Sequence, residues 1–130
     1  TMVHSKMLFI LVVMKTDSVE KTIQMLVDAS IEHGKASEDG DYKTGNKNYD
    51  IIVSAAKYLN ENDSVNELLK LLNHENVSVQ LWAATYLLEK YESEATQSLV
   101  SISKKNITHY SFDAKITLEE WKNGNLKLIY

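Results

Sequence analysis

Cysteine, proline and arginine are all missing from the 130 residues, and glycine occurs only four times. Without cysteine there is no disulfide scaffold, thiolate zinc site or cysteine nucleophile, which agrees with a reducing cytoplasm. Without arginine the chain lacks the guanidinium fork that grips phosphates in two places, and a formal net charge of −4 repels a polyanion on average. Composition therefore argues against nucleic acid as a partner. Gly34, Gly40, Gly45 and Gly124 stand singly, so neither a glycine-rich phosphate loop nor a nucleophile elbow is present. Long hydrophobic runs are also scarce. The longest, Met7 to Met14, has eight residues, too few to span a bilayer, and Lys15-Thr16-Asp17 follows it where a signal peptide would need a small-residue cleavage site. What remains is 44% hydrophobic and 25% charged, the balance of a single soluble globular domain, with neither membrane insertion nor secretion expected.

The run of apolar residues at 1–14 sits outside the pattern that follows, and Met14-Lys15-Thr16-Asp17 reads like a natural start. Residues 1–14 are therefore read as an apolar extension, either foreign to the natural chain or an interface segment, and 15–130 as one domain. From Asp17 onward apolar residues recur at helical spacing. Val19, Ile23, Leu26, Val27 and Ile31 define a first helix behind an Asp17-x-x-Glu20 cap pattern, and Tyr42, Tyr49, Ile52, Val53, Ala56 and Leu59 define a second. Ser64 and Glu67 read as a capping box for a short third helix carrying Val65, Leu68, Leu69 and Leu72. Asn76 caps a fourth helix that is apolar on most sides, the mark of a central, buried element. Ser93 opens a fifth helix, and a sixth runs from about Ile107 to Lys122 and stops at Gly124, a natural C-terminal cap.

Sliding the third and fourth helices forward by thirty residues lays them on the fifth and sixth. Leu69, Asn76, Ala84, Leu88 and Glu89 then meet Leu99, Asn106, Ala114, Leu118 and Glu119, and Trp82 meets Phe112. A fixed offset that keeps the core and the cap is what stacked helix pairs require, because one pair cannot bury its own apolar face. The expected fold is all-α: a short right-handed solenoid of about three antiparallel helix pairs.

The segment Asn76-Val-Ser-Val-Gln-Leu-Trp-Ala-Ala-Thr-Tyr-Leu-Leu-Glu89 resembles the second helix of a HEAT or armadillo-type repeat. Taken with Gly40-Asp41-Tyr42, Asn46, Tyr49-Asp50, His74-Glu75, Phe112-Asp-Ala and Thr117-Leu-Glu-Glu-Trp121, the chain is similar to a small bacterial HEAT-like family catalogued as a domain of unknown function. One departure is Gln80, where such helices usually carry arginine. The resemblance implies a fold and no reaction, and it suggests an immunity or accessory role in a bacterial toxin system.

Candidate chemistry is thin. His33, His74 and His109 lack metal-ligand spacing, so neither a metal nor a cofactor is expected. Glu89 and Glu119 occupy equivalent repeat positions, which a shared solvated face explains without catalysis. The expected function is non-catalytic protein binding across the second helix of each pair, with Lys43, Lys47, Thr85, Glu89, Lys115 and Glu119 exposed. An alternative is a pocket for a small ligand, or for nucleic-acid processing, around Asp41, Tyr42, Asn46 and Tyr49, with Asn46 one turn from both tyrosines. Trp82 and Trp121 read as core anchors. Finally, a helix that is apolar on every face cannot be covered on all sides by one neighbour, so residues 1–14 are expected to pair across a homodimer interface.

Overall fold

The computed structural model describes residues 2–128, and among them every regular element is a helix. They are α1 (Met2–Asp39), α2 (Tyr42–Glu61), a 3-10 helix (Val65–Asn73), α3 (Val77–Leu87), α4 (Glu92–Lys104) and α5 (Tyr110–Lys122). Helix α1 packs along α2, the 3-10 helix along α3, and α4 along α5, while α3 also touches α4, α1 and α5. That central place follows from its sequence. Val79, Leu81, Ala83, Ala84, Tyr86 and Leu87 point to several sides of the helix and are all buried, and Leu88 just beyond it is fully buried too. Among the described residues no helix is long and apolar enough to cross a membrane.

Several local expectations change. Helix α1 does not begin at Asp17: it runs without interruption from Met2 to Asp39. Asp17 is then mid-helix, where it pairs with Lys21 at 3.1 Å one turn on rather than capping. Leu8, Ile10 and Met14 are exposed, 52%, 54% and 59%, and among the described residues the first buried side chain of α1 is Val19. The expected homodimer contact through residues 1–14 falls mostly on side chains outside the described residues.

The third element is 3-10 rather than α-helical, and this resets its buried register. Three residues per turn put Val65, Leu68 and Leu71 in line, all buried, whereas α4 at 3.6 residues per turn buries Ala95, Leu99 and Ile102. Leu69, expected in the core, is only partly covered. The Ser64–Glu67 capping box does not form: the Ser64 hydroxyl donates to Asn62 O at 2.9 Å, and Glu67 pairs with Lys70 at 3.2 Å. Asn76 does cap α3, accepting from the backbone N–H of Ser78 and Val79 at 2.9 and 3.2 Å. Its thirty-residue counterpart Asn106 does not cap α5. It adopts φ +55° in the turn after α4, a conformation asparagine tolerates, and α5 starts three residues later than expected, at Tyr110. The Ser111 hydroxyl ties that turn down, accepting from Ile107 N at 2.8 Å and donating to Ile102 O at 2.7 Å. Gly124 closes α5 at φ +72°, with Asn125 N and Leu126 N both bonded to Glu120 O.

One close approach holds the first helix on the central and last ones. The buried Ser78 hydroxyl on α3 donates to Ser30 O on α1 at 2.6 Å. One turn along α1, Gly34 leaves room for the Tyr110 hydroxyl, which would lie 2.5 Å from a Cβ built at that glycine. Tyr110 instead donates to Glu38 Oε1 at 3.1 Å. Helix α5 is thereby fastened to α1 across most of the chain.

Candidate functional site

Where α1, α2, α3 and α5 converge they leave a cleft of about 390 Å³, within the size range of side-chain and small-ligand pockets. His33 and Ser37 of α1 and Tyr49 of α2 line it on one side. Leu81, Trp82, Thr85 and Tyr86 of α3 line it centrally. Tyr110, Phe112, Asp113, Ile116 and Thr117 of α5 form the far wall, and Leu126 to Leu128 of the C-terminal segment lie along one border. The helical register explains the gathering: residues 82, 85 and 86 share one face of α3, as 112, 113 and 116 do on α5.

Trp82 is the hub. Its ring centroid lies 5.1 Å from His33 in an edge-on contact, 5.9 Å from Tyr49 at a 53° tilt, and 6.3 Å from Tyr86 nearly parallel at 22°. Such spacings are those of favourable aromatic pairs. Phe112 and Ile116 stand exposed across the opening, Phe112 at 65%. An apolar side chain held that far into water gains nothing from the fold.

The titratable groups carry the stamp of this apolar setting. Burial pushes the Tyr86 hydroxyl up to about 12, with Tyr49 adding to the shift. Burial does the same to Tyr110, again to about 12, reinforced by its hydrogen bond to Glu38. Burial lowers the His33 imidazole below its ordinary value, and Asp113 pulls only partly against it. Asp113 keeps access to solvent, yet partial burial holds its carboxyl above the usual carboxylate range while His109 and His33 draw it back. Among the described residues its carboxylate has no hydrogen bond or ion pair. Among those residues, too, no cluster of three or more histidine, aspartate or glutamate side chains could hold a metal ion.

The ten residues singled out from sequence are not gathered into one place. Asp41 is the N-cap of α2, its side chain accepting from Thr44 N at 3.1 Å, and the hydrogen bonds from Thr44 lower its pKa. Tyr42 is 83% exposed. Asn46 is exposed as well, since the buried stripe of α2 runs through Asn48, Ile52, Ala55, Ala56 and Leu59, and position 46 falls about 200° around the helix from 48. The buried amide is Asn48, which donates to Thr44 O at 3.0 Å. A pocket around Asp41, Tyr42 and Asn46 therefore does not form, and of that group only Tyr49 reaches the cleft. Lys43, Lys47, Glu89, Lys115 and Glu119 are exposed, as expected for a solvated face. Thr85 is half-buried in the cleft wall, its hydroxyl donating to Leu81 O at 2.8 Å. Trp82 is a cleft wall as much as a core anchor, whereas Trp121 packs on the core and donates its indole N–H to Glu92 at 2.8 Å.

Sequence reasoning weighs His33 only as a metal ligand and assigns none of His33, Tyr86, Phe112 and Asp113 to a cleft, which all four line. A usable signal existed, because the thirty-residue offset sets Trp82 on Phe112, and aromatic side chains at matching places on successive helices trace one face of a stack.

The model of the family described as a domain of unknown function, DUF2019, matches residues 20–121. The chain belongs to that family. The matched span begins within α1 and ends one residue before the end of α5, so this DUF2019 domain contains every helical wall of the cleft. The crystal structure of the protein RPA1889 from Rhodopseudomonas palustris CGA009 is similar in fold, with a TM-score of 0.78 at 21% sequence identity, covering 84% of this DUF2019 chain and 92% of that one. A search of curated proteins found no significant match.

Proposed function

We propose that this DUF2019 protein is a non-catalytic binding module of the cytoplasm, a short HEAT-like right-handed solenoid of three antiparallel helix pairs that docks a segment of another protein. Support for the solenoid comes from the order of packing, in which each helix lies on its chain neighbour and the second members α2, α3 and α5 share a face. Support for docking comes chiefly from one observation, the cleft on that face with Phe112 and Ile116 standing exposed beside it. Protein interfaces concentrate their energy on aromatic anchors seated in such pockets. Lys43, Lys47, Lys115 and Glu119 are exposed outside the cleft lining, where they could add polar contacts to a partner larger than the cleft. The HEAT-like resemblance suggests a toxin as the partner, with this chain as its immunity or accessory protein. The cleft volume also favours a second reading, a small ligand held without a protein partner. Nucleic acid fits poorly, because acidic residues outnumber basic ones, 18 to 14, and the cleft offers a single lysine.

The test is site-specific photo-crosslinking in host cells, with the reactive side chain placed at Ile116 beside the cleft or at Gln97 on α4, away from it. A single protein adduct from position 116, absent from position 97 and lost when Phe112→Ala is added, is the expected result. Equal adducts from both positions, or none from either, would refute docking through this face.

A further inference from the structure

We propose that the cleft receives the ammonium group of a lysine side chain from the partner protein, its cation set against Trp82, Tyr49 and Phe112 and its charge met by the Asp113 carboxylate. The inference rests on the docking reading above and specifies the chemistry of the anchor. Three observations favour a cation over a purely apolar anchor.

First, aromatic rings dominate the opening. Trp82, the strongest of the natural π faces for a cation, is only partly buried, with the exposed Tyr49 at 5.9 Å and the buried Tyr86 stacked on it at 6.3 Å, and Phe112, 65% exposed, lines the same cleft. Second, Asp113 is the one carboxylate in the cleft lining and has no hydrogen-bonding or ion-pairing partner for its side chain among the described residues. Its environment disfavours its charge, so an arriving cation would stabilise the ionised form. Third, His33, the other ionisable ring beside Trp82, is held toward its neutral form and does not fill the cationic place itself. The groups facing Asp113 are His33 from α1, its own neighbour His109, and Tyr110, beyond which lies Glu38. Only Lys127, in the C-terminal segment, brings a fixed positive charge to the lining.

A lysine also suits the mixture of surfaces in the lining. Its four methylenes could pack on apolar lining residues such as Ile116 while the head group meets the rings and the carboxylate, which is how long basic side chains bury their stems.

The experiment titrates the intact protein with the peptides acetyl-Gly-Lys-Gly-amide and acetyl-Gly-norleucine-Gly-amide, which differ at the end of one side chain. The readout is the indole N–H resonance of Trp82, assigned with Trp82→Phe. Expected is saturable movement of that resonance by the lysine peptide, with about tenfold weaker binding of the norleucine peptide. Asp113→Asn should remove most of the difference. Three results overturn the inference: norleucine binding as tightly as lysine, an unchanged lysine affinity in Asp113→Asn, or no binding of either peptide. If norleucine wins while the Ile116 crosslink persists, docking stands with an apolar anchor and only the cation fails. If free lysine amide binds but the peptide does not, the cleft serves a small molecule, and both readings fall.

Discussion

Replacing Gly34 by alanine sets two effects of known sign against each other. Alanine is the better helix former by about 1 kcal/mol in a helix interior such as this one, and on propensity alone the variant would be more stable. The new methyl, however, would lie 2.5 Å from the Tyr110 hydroxyl oxygen and 3.0 Å from both Cβ and Oγ of Ser78. Carbon contacts are comfortable only at about 3.5–4.0 Å. The Tyr110 ring must swing away, and its hydrogen bond to Glu38 at 3.1 Å is lost, a cost of about 1 kcal/mol. Ser78 cannot retreat alone, because its Cβ is fixed to α3 and its hydroxyl is bonded to Ser30 O. Overpacking of this kind costs about 1–3 kcal/mol. The propensity gain cancels the lost hydrogen bond, and a net loss of about 1–3 kcal/mol remains. For a chain of this size that lowers Tm by roughly 3–15 °C, measurable by circular dichroism in thermal and urea melts. Adding Tyr110→Phe removes the closest clash and should recover part of the loss, a non-additivity expected of touching residues. A Gly34→Ala variant as stable as the parent, or more so, would refute the close approach of α1 to α5.

Ser30→Ala should do the opposite, stabilising by about 0.5–2 kcal/mol in urea melts, because the Ser30 hydroxyl is fully buried without a hydrogen bond among the described residues. Leu88→Ala should cost about 2–5 kcal/mol, the range for a fully buried leucine, and a near-zero loss would show that the turn after α3 is not part of the core. Alkaline stability should fall between pH 10 and 12. The folded state holds the Tyr86 and Tyr110 protons up to about 12, so their stabilisation is complete below the unfolded value of 10.0 and disappears as pH climbs through the folded one. Tyrosinate absorbance should show these two residues titrating late and coincident with unfolding, and Tyr86→Phe or Tyr110→Phe should each remove one late step.

The helices were legible wherever an α-helical period of apolar residues met a clear cap or stop. Asn76, Gly124 and the buried face of α3 are such places, each decided by bonding within a few residues. The misreadings share one cause, a choice made by tertiary contacts between locally similar options. Ser64 and Glu67 have the letters of a capping box, yet the 3-10 geometry that follows takes Ser64 elsewhere. Asn106 matches Asn76 in position, but the Ser111 hydroxyl had already satisfied the turn. On α2, two asparagines two residues apart compete for the buried face, and the stripe through Ile52 and Leu59 selects Asn48 over Asn46. The cleft was harder still. Its walls are more than seventy residues apart in the chain, from His33 to Asp113 and beyond, and contacts far apart in sequence, Gly34 with Tyr110 and Ser30 with Ser78, set their spacing.

That spacing has a consequence for when the protein becomes competent. During synthesis the ribosome delivers residues from the N-terminus at about 5–20 per second, and α1 and α2 can pair while the rest is still being made. The fourth wall is α5, and the border of the cleft includes Leu126 to Leu128. A nascent chain stopped short of Tyr110 would have a substantial part of its core but nothing for a partner to hold. Recognition through this cleft would therefore read out the docking of α5: the partner would engage only copies in which that helix has reached α1, and any lesion that detaches α5 from α1 would release it.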